Sequence, residues 1–178
     1  MFLRDGFEET TVNDIANAVG VAERTVFRYF PTKVDMIWSE FEVTLDRLRI
    51  ALASTSPEEP VWESVTRAVI VSNQYPEDEL PYVHARMSLI ASEPSIHNQS
   101  SPWRETWVGI ISEFLGERLD EASDSVRIRS MAYAGYGAAS AAFDAWVAKP
   151  GDSLIEDLRE SFDLLGQGFL TAQLANLN

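Results

Sequence analysis

Between Thr11 and Lys33 the chain sets two short helical periods on either side of a glycine and closes them with a proline, and no other stretch limits the fold so tightly. Val12, Ile15, Ala16 and Val19 recur at intervals of three and four, which puts them on one face of a helix. Thr11 stands just ahead of them, where a hydroxyl can accept from the free amides of the first turn. Gly20 supplies the left-handed residue that ends a helix, and Val21 follows as a plug between this helix and the next. The second helix is expected from Ala22 to Phe30, with Val26, Phe27 and Phe30 inward and Glu23, Arg24, Thr25, Arg28 and Tyr29 largely outward. Pro31 ends it. Thr32 and Asp35 then have the spacing of a capping box, with Lys33 exposed on the first turn of a further helix. Two short helices hinged at a glycine, the second presenting polar and cationic side chains, make a helix-turn-helix, a geometry that lays its second helix in the major groove of DNA.

Helical periodicity dominates the rest of the chain, and no segment alternates with period two, so the fold class is all-α. Ile37, Phe41, Leu45, Leu48 and Leu52 stripe a helix from Lys33 to Ala53, about 30 Å long at 1.5 Å per residue. The run from Ser54 to Pro60 breaks it and divides the chain into 1–53 and 54–178. Three helices are expected next, from Val61 to Asn73, Leu80 to Ser92 and Pro102 to Arg118, joined by polar loops at 74–79 and 93–101 that are candidates for mobility. Two longer helices close the chain, Ser125 to Ala148 and Ser153 to about Ala175. The first is apolar almost all round, with Ala132, Gly135, Ala139 and Ala142 permitting close approach of a neighbour; Leu154, Leu158, Phe162, Leu165 and Phe169 line one face of the second.

The net charge of −14 argues against a nucleic-acid partner until its distribution is considered. Residues 1–34 hold Arg4, Arg24, Arg28 and Lys33 against five acids, so nearly all the excess acidity lies downstream, while cations gather on the second helix and its exit. No cysteine is present, which excludes disulfides and thiolate metal sites, and two isolated histidines argue against zinc. The longest apolar run, Met131 to Phe143, is too short to cross a membrane, and no signal peptide is evident, so a cytoplasmic location is expected. Glycine-rich phosphate loops, nucleophile elbows and paired metal ligands do not occur, and no enzyme activity, metal or cofactor is expected. An aromatic load does: Trp62, Tyr75, Tyr82, Met87, Trp103, Trp107 and Phe114, with Trp38 and Tyr133 within reach. Ordinary core packing accounts for these residues as well as a pocket does.

The first fifty residues resemble the DNA-binding domain of the TetR family of bacterial transcription regulators. The resemblance rests on Gly6-Phe7, Thr10-Thr11-Val12, Ile15-Ala16, Gly20-Val21, Thr25, the run Phe27-Arg28-Tyr29-Phe30, and Lys33, all at the family's spacing. It implies a homodimeric repressor on a double-stranded DNA operator, with Arg24 and Asn13 near base edges, Glu23 facing a cytosine amino group or deterring wrong sequences, Thr11, Thr25, Tyr29 and Lys33 serving the phosphates, and Arg28 also on the DNA-binding surface. Two positions depart from the pattern: Ala22 stands where a Ser or Thr caps the recognition helix, and Phe27 replaces a common Tyr. Family members also carry a full first helix behind a basic arm, whereas this sequence opens at Met1-Phe2-Leu3-Arg4-Asp5-Gly6, so residues ahead of Met1 are expected to be missing.

The same resemblance implies that 1–53 is the DNA-binding domain with a linking helix, and that 54–178 binds a ligand and dimerises. A small-molecule effector would sit among Trp62, Tyr75, His84, Met87, Trp103, Trp107, Phe114 and Tyr133, with Gln74, Arg86 and Ser88 as further polar anchors. The closing helices would form an intersubunit four-helix bundle through Ala139, Phe162, Leu165 and Phe169. Phe30-Pro31-Thr32-Lys33, Trp38-Ser39-Glu40-Phe41 and the segment Ala141 to Trp146 are similar to regulators found with mycofactocin biosynthesis genes, which implies a long-chain acyl-CoA or similarly amphipathic effector. A different class of protein fits the acidic surface: a helical small-molecule sensor or protein-binding adaptor that keeps the hairpin as scaffold without binding DNA.

Overall fold

A computed structural model describes residues 1–97, 101–149 and 151–168. All regular structure among these residues is helical. In chain order the helices are α1 (Phe2–Asp5), α2 (Val12–Val19), α3 (Glu23–Tyr29), α4 (Lys33–Ala53), α5 (Val61–Ser72), α6 (Leu80–Ser92), α7 (Pro94–His97), α8 (Ser101–Leu119), α9 (Val126–Ala148) and α10 (Leu154–Gly166).

The local signals act where the sequence puts them. Thr11 Oγ1 accepts from the Asp14 amide at 3.1 Å while the Asp14 carboxylate accepts from the Thr11 amide at 3.0 Å, a full capping box at the start of α2. Thr32 and Asp35 repeat the arrangement on α4. Gly20 has φ 72° and ψ 31°, a left-handed conformation costly for any residue with a Cβ, and the Val21 amide returns to the Ala16 carbonyl at 3.0 Å. Ala22 stands at the N-cap of α3 and supplies no side-chain cap, as its sequence requires.

Burial departs from expectation in the hairpin. Val12, Ala16 and Val26 form its small core with Phe30 and Met36 beside them. Val26 and Phe30 stand four apart and define the inward side of α3, which turns Phe27 about 100° away into solvent, 44% exposed. Val19 and Val21, expected inside, instead line an open groove of about 560 Å³ with Ile15, Tyr29 and Met36.

Helix α4 belongs to two cores. Its first turns place Val34, Ile37 and Trp38 in a cluster with Phe7, Ile90 and Ile96. Its later turns bury Leu45, Leu48 and Leu52 in the main core, against Val65 and Val69 of α5, Ile111 and Leu115 of α8, and residues of α9 and α10. Gly135 lies where α9 crosses its neighbours: a Cβ there would stand 3.5 Å from both Trp107 and Trp62, so the crossing is already at contact distance. The segment expected as a polar loop over 93–101 contains α7, which sinks Ile96 completely into the cluster on α4. One isoleucine with a hydrophobic socket overrides the polarity of its neighbours.

Candidate DNA-reading surface and effector cavity

The hairpin carries the first candidate surface. Asn13 on α2 and Glu23, Arg24, Arg28 and Tyr29 on α3 are exposed; Thr25 is half-buried. Arg28 donates to the Tyr29 hydroxyl at 3.2 Å, and its guanidinium lies 4.9 Å from that ring's centroid, which aligns a cation and a phenol at the end of α3. The Thr11 hydroxyl donates to the Asp14 carboxylate at 2.6 Å. That bond and the Thr11 amide hold the Asp14 carboxyl below its ordinary range.

Lys33 is placed differently from its expected exposure. Its ammonium turns inward, donating to the carbonyls of Phe7 at 2.7 Å, Thr10 at 3.2 Å and Glu8 at 3.3 Å, and lies 4.6 Å from the centroid of the Phe7 ring. An ammonium has three donors, and three carbonyls occupy them. The α1–α2 loop brings those carbonyls over the first turn of α4, and no periodicity in the sequence reveals their convergence.

A second candidate site lies between α4, α6, α8 and α9, a cavity of about 130 Å³ walled by Trp38, Phe41, Met87, Trp107, Tyr136 and Phe143, with Tyr75 from the segment after α5. Thr44 and Tyr75 hydroxyls meet there at 3.3 Å. Arg86 lines it too, buried to 7% exposure and paired through Nη1 with Glu40 of α4. Of the effector candidates, Tyr75, Met87 and Trp107 stand on this lining. The remaining five are elsewhere. Trp62 stacks on Phe162 at 5.7 Å and donates its indole N–H to the Phe162 carbonyl at 3.2 Å. Trp103 packs behind Trp38, their rings 6.4 Å apart. Phe114 lies under the Arg118 guanidinium. His84 meets Trp146 edge-on at 4.9 Å, with Nδ1 3.4 Å from the Ser88 hydroxyl. Tyr133 is at the surface, donating to Glu105 at 2.9 Å; that hydroxyl and then Arg129 hold the Glu105 carboxyl below its ordinary range. Aromatic content shows that helices are rich in large side chains, not which side of each helix meets a void. Tyr136 and Phe143, seven residues apart on α9, fall on one face of that helix together with Ala139, Ser140, Asp144 and Val147.

The proposed dimer contacts also move inward. Ala139 lines the cavity at 9% exposure and Phe162 is fully buried against Trp62, so both serve this chain's own core. Leu165 is half-buried, and Phe169 lies outside the described residues. The exposed residues on α9 include Ala134, Gly137, Ala141 and Ala145, spaced by three and four, and an added Cβ at Gly137 would meet nothing within 4 Å. Among the described residues no helix is long and apolar enough to cross a membrane, and no group of three or more His, Cys, Asp or Glu is placed to hold a metal ion.

Comparison with known proteins agrees with this architecture. Residues 1–37 match the family model of bacterial regulatory proteins of the tetR family, and residues 59–170 match that of the MftR C-terminal domain. The chain belongs to the TetR family of transcription regulators. Among curated relatives it is 28% identical over 168 residues to a protein of Mycobacterium tuberculosis described as a mycofactocin biosynthesis transcriptional regulator, MftR, covering 94% of this chain and 85% of that one. Two solved structures share the fold. The TetR family regulator PfmR of Thermus thermophilus superposes with a TM-score of 0.53 at 19% identity, covering 94% of this chain and 93% of its own. A TetR family regulator from Shewanella sp. PV-4 superposes with a TM-score of 0.55 at 24% identity, covering 92% and 88%.

Proposed function

We propose that this regulator is a homodimeric repressor released from its operator by a small apolar or amphipathic effector, with acyl-CoA-like molecules in the class. The observation that carries the reading is the continuity of α4. One helix begins under the hairpin that exposes Arg24, Arg28 and Tyr29, and the same helix supplies Trp38, Phe41 and Thr44 to the cavity. A ligand that reshapes the cavity therefore acts on the helix that carries the reader.

In this reading Arg24 meets base edges, with Asn13 beside it, and Arg28 and Tyr29 grip phosphate. A second copy supplies the second reader, since paired recognition helices must reach major grooves one turn apart, ~34–36 Å. The likeness to the mycofactocin regulator over 94% of this chain supports a regulatory role of that kind. The test is a mobility-shift titration on the DNA upstream of the chain's own gene, repeated with fatty acyl compounds while tryptophan fluorescence follows the cavity. A shift that the effector reverses is expected. Fluorescence quenching with no loss of DNA affinity would sink the repressor mechanism, because a ligand with equal affinity for both states shifts nothing, and no DNA binding at all would favour the sensor or adaptor reading.

A further inference from the structure

Arg86 lines two spaces at once, the cavity beneath α4 and the open groove beside the hairpin. Its Nη1 pairs with one carboxylate oxygen of Glu40, while the Tyr82 hydroxyl, one turn earlier on α6, donates to the other at 3.1 Å. Burial and then the Glu40 charge push the Tyr82 phenol up, so it stays a donor. Both oxygens of Glu40 are thus held from α6, midway along α4 between Ile37 of the reader-side cluster and Leu45 of the main core.

The clasp is lopsided. Glu40's side chain is 49% exposed, and Arg86's 8%. A carboxylate at the surface loses little when water replaces its partner, whereas a buried guanidinium must keep an anion. Arg86 also keeps Nε buried without a partner, and Trp38, on the same cavity lining, keeps its indole N–H buried without one. Both donors belong to residues of the cavity lining, and a ligand group that only accepts would satisfy them. The lining's other charged residue, Asp144, is exposed on α9 and repels such a group, which leaves the Arg86 end as the place for it.

We propose that Arg86 anchors the anionic head of the effector and that the incoming carboxylate takes the guanidinium from Glu40, unclasping α6 from α4. This rests on the reading above that cavity occupancy governs DNA binding. A guanidinium fork binds a carboxylate through two parallel hydrogen bonds, and Nε is the donor still free to complete such a pair. At about 130 Å³ the cavity is smaller than the ~300–1,000 Å³ of sites that take a whole ligand, as expected of the clasped state.

Decanoate and decanol share a chain and differ in the head, so tryptophan fluorescence titrations with the two isolate the anchor. Decanoate is expected to bind about tenfold or more tighter than decanol, the worth of a charge-assisted pair. Arg86→Gln should abolish that preference while keeping decanol affinity. Glu40→Gln leaves Arg86 in place and removes its competitor, so decanoate should bind more tightly and the upstream DNA about tenfold more weakly without any ligand. Melting curves accompany both variants, and Glu40→Gln carries the test if Arg86→Gln does not fold. Equal affinity of the parent for the two probes overturns the anchor, and a Glu40→Gln chain unchanged in both assays overturns the clasp. If the parent never binds DNA yet keeps its Arg86-dependent preference, the repressor reading fails while the anchor stands. If DNA is released as readily by decanol, the repressor reading stands and the anchor fails.

Discussion

A lysine at the start of a helix beside a DNA reader invites the role of phosphate anchor, but the three carbonyls around Lys33 give it another: it ties the α1–α2 loop to α4. Lys33→Ala is expected to lower stability by about 1–3 kcal/mol, the cost of losing hydrogen bonds to a charged group, and to leave the salt dependence of DNA binding nearly unchanged. Arg28→Ala, on an exposed guanidinium, should leave the melting temperature alone and reduce the salt slope by about one unit. Melting curves and binding isotherms across salt separate the two; the same slope change in both variants would restore Lys33 to the phosphates. The cap of α2 has a pH signature. Because the folded Asp14 carboxyl lies below its ordinary range, its contribution is fully present above the unfolded value of about 3.9 and is lost as pH falls through the lowered folded value. Asp14→Ala should therefore melt below the parent at neutral pH, and the gap should close in acid. Thr11→Ala, which removes the hydroxyl side of the box, should cost about 1 kcal/mol at neutral pH.

Helices were legible from spacing and caps, but the direction in which each turns its faces was legible only where polarity differed sharply between sides. Helix α10 has that contrast, and its Leu154, Leu158 and Phe162 are buried as their spacing implies. Helix α9 lacks it. Its small residues run all round, so sequence alone cannot tell Ala139, which faces Trp107 and Met87 across the cavity, from Ala141, which is exposed. The consequence reaches the dimer: Phe162→Ala should destabilise the fold by about 3–5 kcal/mol, as an emptied core site does, rather than simply separate the subunits. Ala141→Glu, on the open side of α9, is expected to keep the melting temperature of the monomer and yield monomers by light scattering. A stable dimer in Ala141→Glu would place the seam on another face. Arg86 and Glu40 show the same boundary of inference. An arginine on a mostly apolar helix is visible in the sequence, but its carboxylate partner lies 46 residues away on another helix and no spacing rule connects them.

At the scale of the molecule, the division at residue 54 is a change in sequence character, while the packing runs through it along α4. Polar residues at 54–60 mark where the chain turns; they do not mark where hydrophobic contact stops, since Leu48, Ala51 and Leu52 sit in the same core as α5 and α8. At the other end of α4, Val34, Ile37 and Trp38 interlock with Ile90 of α6 and Ile96 of α7. Ile96, hidden in a segment that reads as loop, fills the contact between the first turns of α4 and α6. This shared helix sets the rule for anyone splicing regulators together to build sensors. A hybrid joined at residue 54 would press a foreign α4 against native α6 and α7, mismatching Ile96 and both partners of Glu40, whereas a junction in the Pro31–Thr32 turn transplants the reader and leaves those contacts native. The first hybrid is expected to unfold in two separate melting steps and to ignore its effector, and the second to melt in one and keep its response; the reverse outcome in calorimetry would show that α4 travels with the reader.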